Sequence, residues 1–401
     1  MRIAHVVRRY SRGEWGGTES VVANLVNGQR RRGDGVRIFC TSALQPASGT
    51  DEAETFPYFY PYFSMPTSTR VALDKKGGNP YAPALFKAVR KFAPDVIHVH
   101  ACGRLACCAI RLAEKLRVPS VITLHGGAIA VPADEMANML KPLRHKFPYG
   151  GIIDRLCGLH FDPLARVSAI VTCSREEAEL LQKKYPGQRV RYLPNGVTPE
   201  TFPHAPVEKI KKVLCLSRID YQKNQLALVD LLAAQPDLEV RLVGPVTSAW
   251  YRDKIRTRAH ELGVESRLRI DPALPPNSPP FHAAFAEADA FVLPSLHEPF
   301  GIVALEAMQH GVPLVASTAG GLVDFVRDGE NGLLFDPKDP DGLVRAFARL
   351  TPELAATLAA GGLKTVEDYG WPALVERLAA IYADARGGSG RVIPAGGEQG
   401  R

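Results

Sequence analysis

Short, unbroken apolar runs, each followed by apolar positions at helical spacing, recur along almost the whole chain. Ile3 to Val7, Val36 to Cys40, Asp95 to His100, Ser120 to Leu124 and Ala169 to Cys173 read as strands in the first half. Val213 to Leu216, Leu238 to Val243, Leu268 to Ile270 and Ala290 to Leu293 read as strands in the second. After the first of them, Val21, Val22, Leu25 and Val26 return with the helical period before Gly33. Strands covered on both faces lose the polar alternation of half-exposed ones, so the pattern predicts an α/β chain with parallel, doubly wound sheets. At 401 residues, 46% hydrophobic and 23% charged, the chain has core enough for two or three domains. Pro194, Pro199, Pro203 and Pro206 mark a linker within 194–212, and a second domain opens at Val213. The six glycines of 387–401 predict a flexible tail.

Composition narrows the function. No apolar run approaches the length of a membrane span, and Ile3 to Val7 before Arg8-Arg9 is too short for a secretory signal. The seven cysteines form no C-x-x-C pair, which favours core packing in a reduced compartment over disulfides or zinc. A cytoplasmic protein without a nucleic-acid partner is the expectation. Charge is uneven: residues 1–204 carry 28 Lys and Arg against 17 Asp and Glu, net +11, and the remainder 21 against 25, net −4. A basic first half suits an anionic membrane surface or a lipid-phosphate acceptor, or simply a solvated face. Residues 134–160, with Met136, Met139, Leu140, Leu143, Lys141, Arg144 and Lys146, fit an interfacial element or a core-facing helix with basic exposure. The aromatics Tyr58 to Phe63 suit stacking on a sugar or lipid, or an edge strand.

The strongest chemical signal follows Ala290 to Leu293. Pro299 suits a first helical position and Gly311 a helix stop, so 290–311 reads as strand, tight turn, helix. A helix opening above a strand end aims its unpaired N–H groups at an anion, and Gly301 lets a diphosphate come close to the backbone. Glu298 and Glu306 stand roughly 12 Å apart along such a turn and helix. Paired glycosidase carboxylates stand about 5 to 9.5 Å apart, so these two suit opposite ends of one elongated ligand. Arg218 and Lys223 follow the strand Val213 to Leu216, where charge-assisted bonds to a diphosphate form readily. His125 ends Ser120 to Leu124, at the carboxyl edge where α/β sheets bind ligands. His98 and His100 alternate on a strand and read as satisfied core residues rather than metal ligands. Gly16-Gly17 before a helix permits close approach of phosphate or sugar, although Gly-Gly is also common turn punctuation.

Together, Arg218, Lys223, Glu298 and Glu306, in that order and spacing, resemble the Glu, seven residues, Glu signature and the Arg, four residues, Lys motif of family 4 retaining glycosyltransferases. The resemblance spans nearly the whole chain. It implies the GT-B fold: two doubly wound Rossmann-like domains with a cleft between them, at 1–200 and 206–371, and a last helix, 372–386, crossing back onto the first. It implies transfer of a sugar from a nucleotide-diphosphate sugar to a glycan, lipid-linked or small-molecule acceptor, with retained anomeric configuration and a role in polysaccharide or glycolipid synthesis. It assigns Glu298, His125, Arg218 and Lys223 to catalysis. Donor binding falls to Gly16, Gly17, Leu274, Phe300, Gly301, Ile302 and Glu306 as well. No Asp-x-Asp motif stands at the site, so neither metal nor cofactor is expected, the nucleotide-sugar being a substrate. Asn224 stands where the family often has Gly, Asp324 where it has Glu, and Pro272 near a usual Gly, which leaves the base open. A nucleotide-sugar epimerase and a two-lobed binding protein are the alternatives.

Overall fold

The computed structural model describes residues 1–11, 16–44, 52–76, 78–126, 141–143, 148–198, 200–202, 204–205 and 207–387. Gly127, most of 134–147, Pro199, Pro203, Pro206 and the tail beyond Gly387 lie outside the described residues.

Two compact units divide between Leu193 and Pro194 and again between Leu374 and Val375, with Ser174–Glu176 counting with the second. The first is built on a sheet of seven strands in the order β3-β2-β1-β4-β5-β6-β7. These are β1 (Arg2–Val7), β2 (Gly35–Thr41), β3 (Glu54–Phe56), β4 (Val96–Val99), β5 (Ser120–Leu124), β6 (Ala169–Thr172) and β7 (Val190–Tyr192). All its pairings are parallel. The central strands are buried along almost their whole length, and Val6, Phe39, Ile97, Ile122 and Ile170 join Leu85, Val89, Leu105 and Ile110 in one core.

The stretch from β2 to Gly78 is less of a loop than its sequence suggests, since it holds β3 and the helix Thr67–Lys76. The aromatic run after β3 is no strand. Tyr58 and Tyr60 donate to the two oxygens of Asp74 at 2.6 and 2.8 Å, while Phe63 stands 82% exposed.

The second unit repeats the plan with six strands ordered β10-β9-β8-β11-β12-β13. They are β8 (Lys212–Leu216), β9 (Glu239–Val243), β10 (Leu268–Asp271), β11 (Ala290–Leu293), β12 (Leu314–Ser317) and β13 (Leu333–Phe335). The final helix, Trp371–Gly387, belongs to the second unit up to Leu374 and to the first from Val375. Within the first unit Tyr382 is fully buried, and Val375 packs so close to Gly28 that a Cβ there would lie 2.6 Å from its methyl.

Strand order reverses between β1 and β4 in one sheet and between β8 and β11 in the other. Chains leaving adjacent strands there turn in opposite directions, which opens a crevice at the carboxyl ends.

Candidate active site

In the second unit both chemical motifs leave the strands flanking that reversal, because β8 and β11 are hydrogen-bonded neighbours. After β8, Asp220 caps the 3-10 turn Tyr221–Lys223 by accepting from Gln222 N–H at 3.1 Å. Asn224 closes the turn at φ 52, a left-handed conformation that asparagine tolerates, so it does here what Gly does elsewhere. Gln225 Nε2 donates to the Arg218 carbonyl at 2.7 Å and ties down the other side of the loop.

The turn delivers Lys223 into the protein, where its Nζ donates to Glu298 Oε2 at 2.7 Å. Both residues are buried, and Ser295 Oγ donates to the same carboxylate oxygen at 3.2 Å. Leu296 N–H donates to the Gln222 carbonyl at 2.8 Å, so the two loops are stitched by backbone as well as by charge. Arg218 remains exposed, with no side-chain partner among the described residues. One cation of the pair is thus committed to the Glu and the other is free.

The helix that follows runs Ile302–Gln309 and does not include Pro299, which the sequence places at its first position. Gly301 is the reason: at φ 90 it cannot be helical and becomes the N-cap, with Gly311 at φ 66 ending the element. A Cβ on Gly301 would also meet Leu322 at 2.6 Å. Gly320 and Gly321 press on the same turn from β12: Gly321 N–H donates to the Glu298 carbonyl at 3.0 Å, and a Cβ on Gly320 would sit 2.1 Å from that oxygen. At the helix start the Ile302 N–H has no intrahelical acceptor, whereas Ala304 N–H already donates to the Gly301 carbonyl at 2.9 Å. Phe300 has only its backbone to offer a ligand, since its ring is buried 5.2 Å from that of Phe325. Glu306 follows one turn on. Burial pushes its carboxyl up to about 7, and among the described residues no cation or donor side chain offsets that cost. Leu274 is half-buried in the irregular segment after β10.

The first unit holds the remaining candidates. Gly16 is the N-cap of the helix Gly17–Arg31, and Gly17 is its exposed first residue, where an added Cβ would meet nothing. His125 follows β5, half-buried, and its Nε2 lies 2.8 Å from Nδ1 of His100. Behind them, His100 Nε2 lies 2.8 Å from His5 Nδ1. His5, on β1, escaped the sequence reading; a histidine inside an otherwise apolar strand was the available signal. Desolvation lowers His5 and His125 to about 4 and pulls His98 and His100 well below the ordinary value of 6.5. The ring nitrogens of His5, His98 and His100 approach within 4.8 Å of one another, close enough to suggest a metal site. All six already have hydrogen-bond partners, so these residues read as a core network rather than a ligand set.

Two parallel doubly wound units, each with a reversal point beside its first strand, define the class: a Rossmann-like architecture. Residues 198–353 match the family model described as "Glycosyl transferases group 1", and residues 15–201 match "Glycosyltransferase Family 4". A D-inositol 3-phosphate glycosyltransferase of Xylanimonas cellulosilytica is 30% identical over 316 residues, covering 73% of this chain and 72% of that protein. One from Thermobispora bispora is 32% identical over 252 residues, 57% of this chain, and the chain spans just 58% of that relative's length. HepE of Anabaena, solved in complex with UDP-glucose, superposes with a TM-score of 0.66 at 20% identity, covering 96% of this chain and 99% of that one, which shows the GT-B fold. The chain belongs to the group 1 glycosyltransferases.

Proposed function

We propose that the protein is a retaining glycosyltransferase. It moves a sugar from a nucleotide-diphosphate sugar to a glycan, lipid-linked or small-molecule acceptor, in cell-surface polysaccharide or glycolipid synthesis in the cytoplasm, and it needs no metal ion. The observation that carries this reading is the Lys223–Glu298 pair, 2.7 Å apart above a helix N-terminus whose cap, Gly301, leaves the backbone bare. The diphosphate lies against the N–H groups of that first turn, with Arg218 free to reach it and Lys223 sharing its charge between phosphate and Glu298. Glu298 takes the sugar hydroxyls and stabilises the positive charge that develops at the ring. Glu306 accepts from the ribose hydroxyls, which return the hydrogen bonds that burial removed. His125 approaches the donor sugar, and Gly16-Gly17 faces the diphosphate.

The acceptor oxygen attacks from the face the phosphate leaves. Its O–C1 bond forms as the C1–O(phosphate) bond breaks, and its proton passes to the departing phosphate oxygen. No protein nucleophile is required. Preorganised charge from Arg218, Lys223 and the helix amides stabilises the leaving diphosphate, commonly the largest catalytic contribution. That HepE was solved with UDP-glucose supports a nucleotide-sugar donor for this chain too.

The test is thermal stabilisation by a panel of UDP-, GDP- and ADP-sugars. The true donor at a hundred times its Kd stabilises by about 2.7 kcal/mol, and a panel without effect overturns the reading.

Peripheral contact with anionic membrane belongs to the same proposal. Besides the basic first half, the first unit exposes Phe63 and Leu156, each at 82%, and Ile152 at 52%. Among the described residues no helix is long and apolar enough to cross a membrane. The protein should therefore sediment with anionic but not neutral liposomes and release as salt rises. Equal sedimentation with both vesicle types removes the idea.

A further inference from the structure

Behind His125 the first unit contains a hydrogen-bonded circuit that begins and ends on the same strand end. Thr123 Oγ1 lies 2.7 Å from His98 Nε2, and His98 Nδ1 lies 2.6 Å from the Tyr382 hydroxyl. Gln29 Nε2 donates to that hydroxyl at 3.3 Å, and Gln29 Oε1 faces His5 Nε2 at 2.8 Å. His5 Nδ1 meets His100 Nε2, and His100 Nδ1 meets His125 Nε2, both at 2.8 Å. His5, Gln29, His98 and His100 are buried, as is Tyr382, and His125 Nδ1 has no partner among the described residues. Desolvation keeps the four imidazoles neutral at physiological pH, so each carries one N–H.

Those two facts leave little freedom. An amide oxygen only accepts, so His5 donates to Gln29 from Nε2 and must accept at Nδ1. His100 therefore donates from Nε2 and accepts at Nδ1, and His125 donates from Nε2 in turn. On the other side the amide nitrogen only donates, so the Tyr382 hydroxyl passes its single proton to His98 Nδ1, and His98 donates from Nε2 to Thr123. Within the His5–His100–His125 arm, reversing one bond reverses all, because each imidazole has one proton for two partners.

We propose that Gln29, His5 and His100 are positioning residues that hold His125 as the Nε2–H tautomer, so that it meets the reacting sugar with a bare Nδ1, as a hydrogen-bond acceptor. The inference rests on the reading that His125 approaches the donor sugar. It identifies what that residue recognises there: a hydroxyl proton of donor or acceptor, rather than a ring or phosphate oxygen. It also accounts for histidines inside β1 and β4, where an apolar side chain would pack as well.

The circuit is read directly by imidazole nitrogen NMR on the full chain labelled with 15N-histidine, without ligand. His5, His98, His100 and His125 should all appear as Nε2–H tautomers, and His125 as Nδ1–H, or as a mixture, overturns the proposal. Gln29→Met removes both the acceptor and the donor at similar volume. It should mix the His125 tautomers and lower kcat about tenfold, comparable to losing an outer-shell partner elsewhere, with donor KM unchanged. Unchanged tautomers and kcat in a folded Gln29→Met protein would also sink it. If the tautomers are as stated while His125→Ala transfers at the normal rate, the polarity stands and the placement of His125 at the sugar fails instead. Should Gln29→Met not fold, the spectrum of the unaltered protein decides alone.

Discussion

The two units share one plan, a parallel sheet with a reversal point beside its first strand, yet they fill that point with opposite chemistry. In the second unit the loops leaving β8 and β11 carry a buried ion pair, a free Arg218 and backbone stripped of Cβ atoms at Gly301 and Gly320. In the first, His5 on β1, His98 on β4 and His100 just beyond it are uncharged and hydrogen-bonded in series with Gln29, Tyr382, Thr123 and His125. A site that grips an anion needs fixed charge and open N–H groups. One that orients a hydroxyl needs direction, which neutral imidazoles in series provide. The same fold accommodates both because side chains near the reversal point can change without changing the plan of the sheet.

Three experiments press on that contrast. The largest effect is expected from Glu298→Gln, which removes the negative charge at the core of the charged site. Turnover should fall on the order of a hundredfold to a thousandfold. The variant should also melt earlier, because Lys223 loses its buried counter-ion, at about 1 to 3 kcal/mol. Steady-state kinetics with thermal melts measure both, and near-normal turnover in a folded variant breaks the assignment of charge to the second unit.

Arg218→Ala and Lys223→Ala should each weaken nucleotide-diphosphate binding about tenfold to a hundredfold, the worth of one charge-assisted bond. They should differ in stability. Arg218 is exposed and melting should not change, whereas Lys223→Ala strands a buried Glu298. Calorimetry of both variants sharpens the comparison, and equal destabilisation would mean that the ion pair has no structural share.

The smallest effect, and the most direct contrast, is with pH. His5, His98, His100 and His125 of the first unit bind protons more weakly folded than unfolded, so the stability they confer is present above 6.5 and lost as pH falls toward 4. Glu306 has the opposite sign: its raised carboxyl costs stability as pH climbs from 4.5 through about 7. Desolvation of His310 adds a cost of the histidine sign to the second unit. Lowering pH from 7 to 5 should therefore loosen β1 and β4 more than β8 and β11. Hydrogen exchange, corrected for intrinsic rates, shows which unit opens first, and equal loosening would void the contrast.

Strands, helices and the Arg218, Lys223, Glu298 and Glu306 motifs were legible in the chain because they are local: an apolar run, a turn residue and a helical period lie within twenty residues of one another. The start of the helix after β11 was misplaced at Pro299, because the left-handed φ of Gly301 is a backbone property that proline spacing does not reveal. The short strands β3, β7, β12 and β13 are not legible in the sequence: β3 (Glu54–Phe56) and β7 (Val190–Tyr192) contain no apolar run, and the three apolar residues of β12 and of β13 are too few to show a period.

What the sequence by itself determined is the class of fold and the candidate side chains at the ends of its strands. What only the tertiary structure decided is their partners. Lys223 is spent on Glu298, 75 residues away, while Arg218 is left free. Tyr382 closes the histidine circuit from 284 residues beyond His98. Such pairings depend on which strands lie side by side, and strand order is set by how the whole sheet buries its apolar faces, a property no single segment carries.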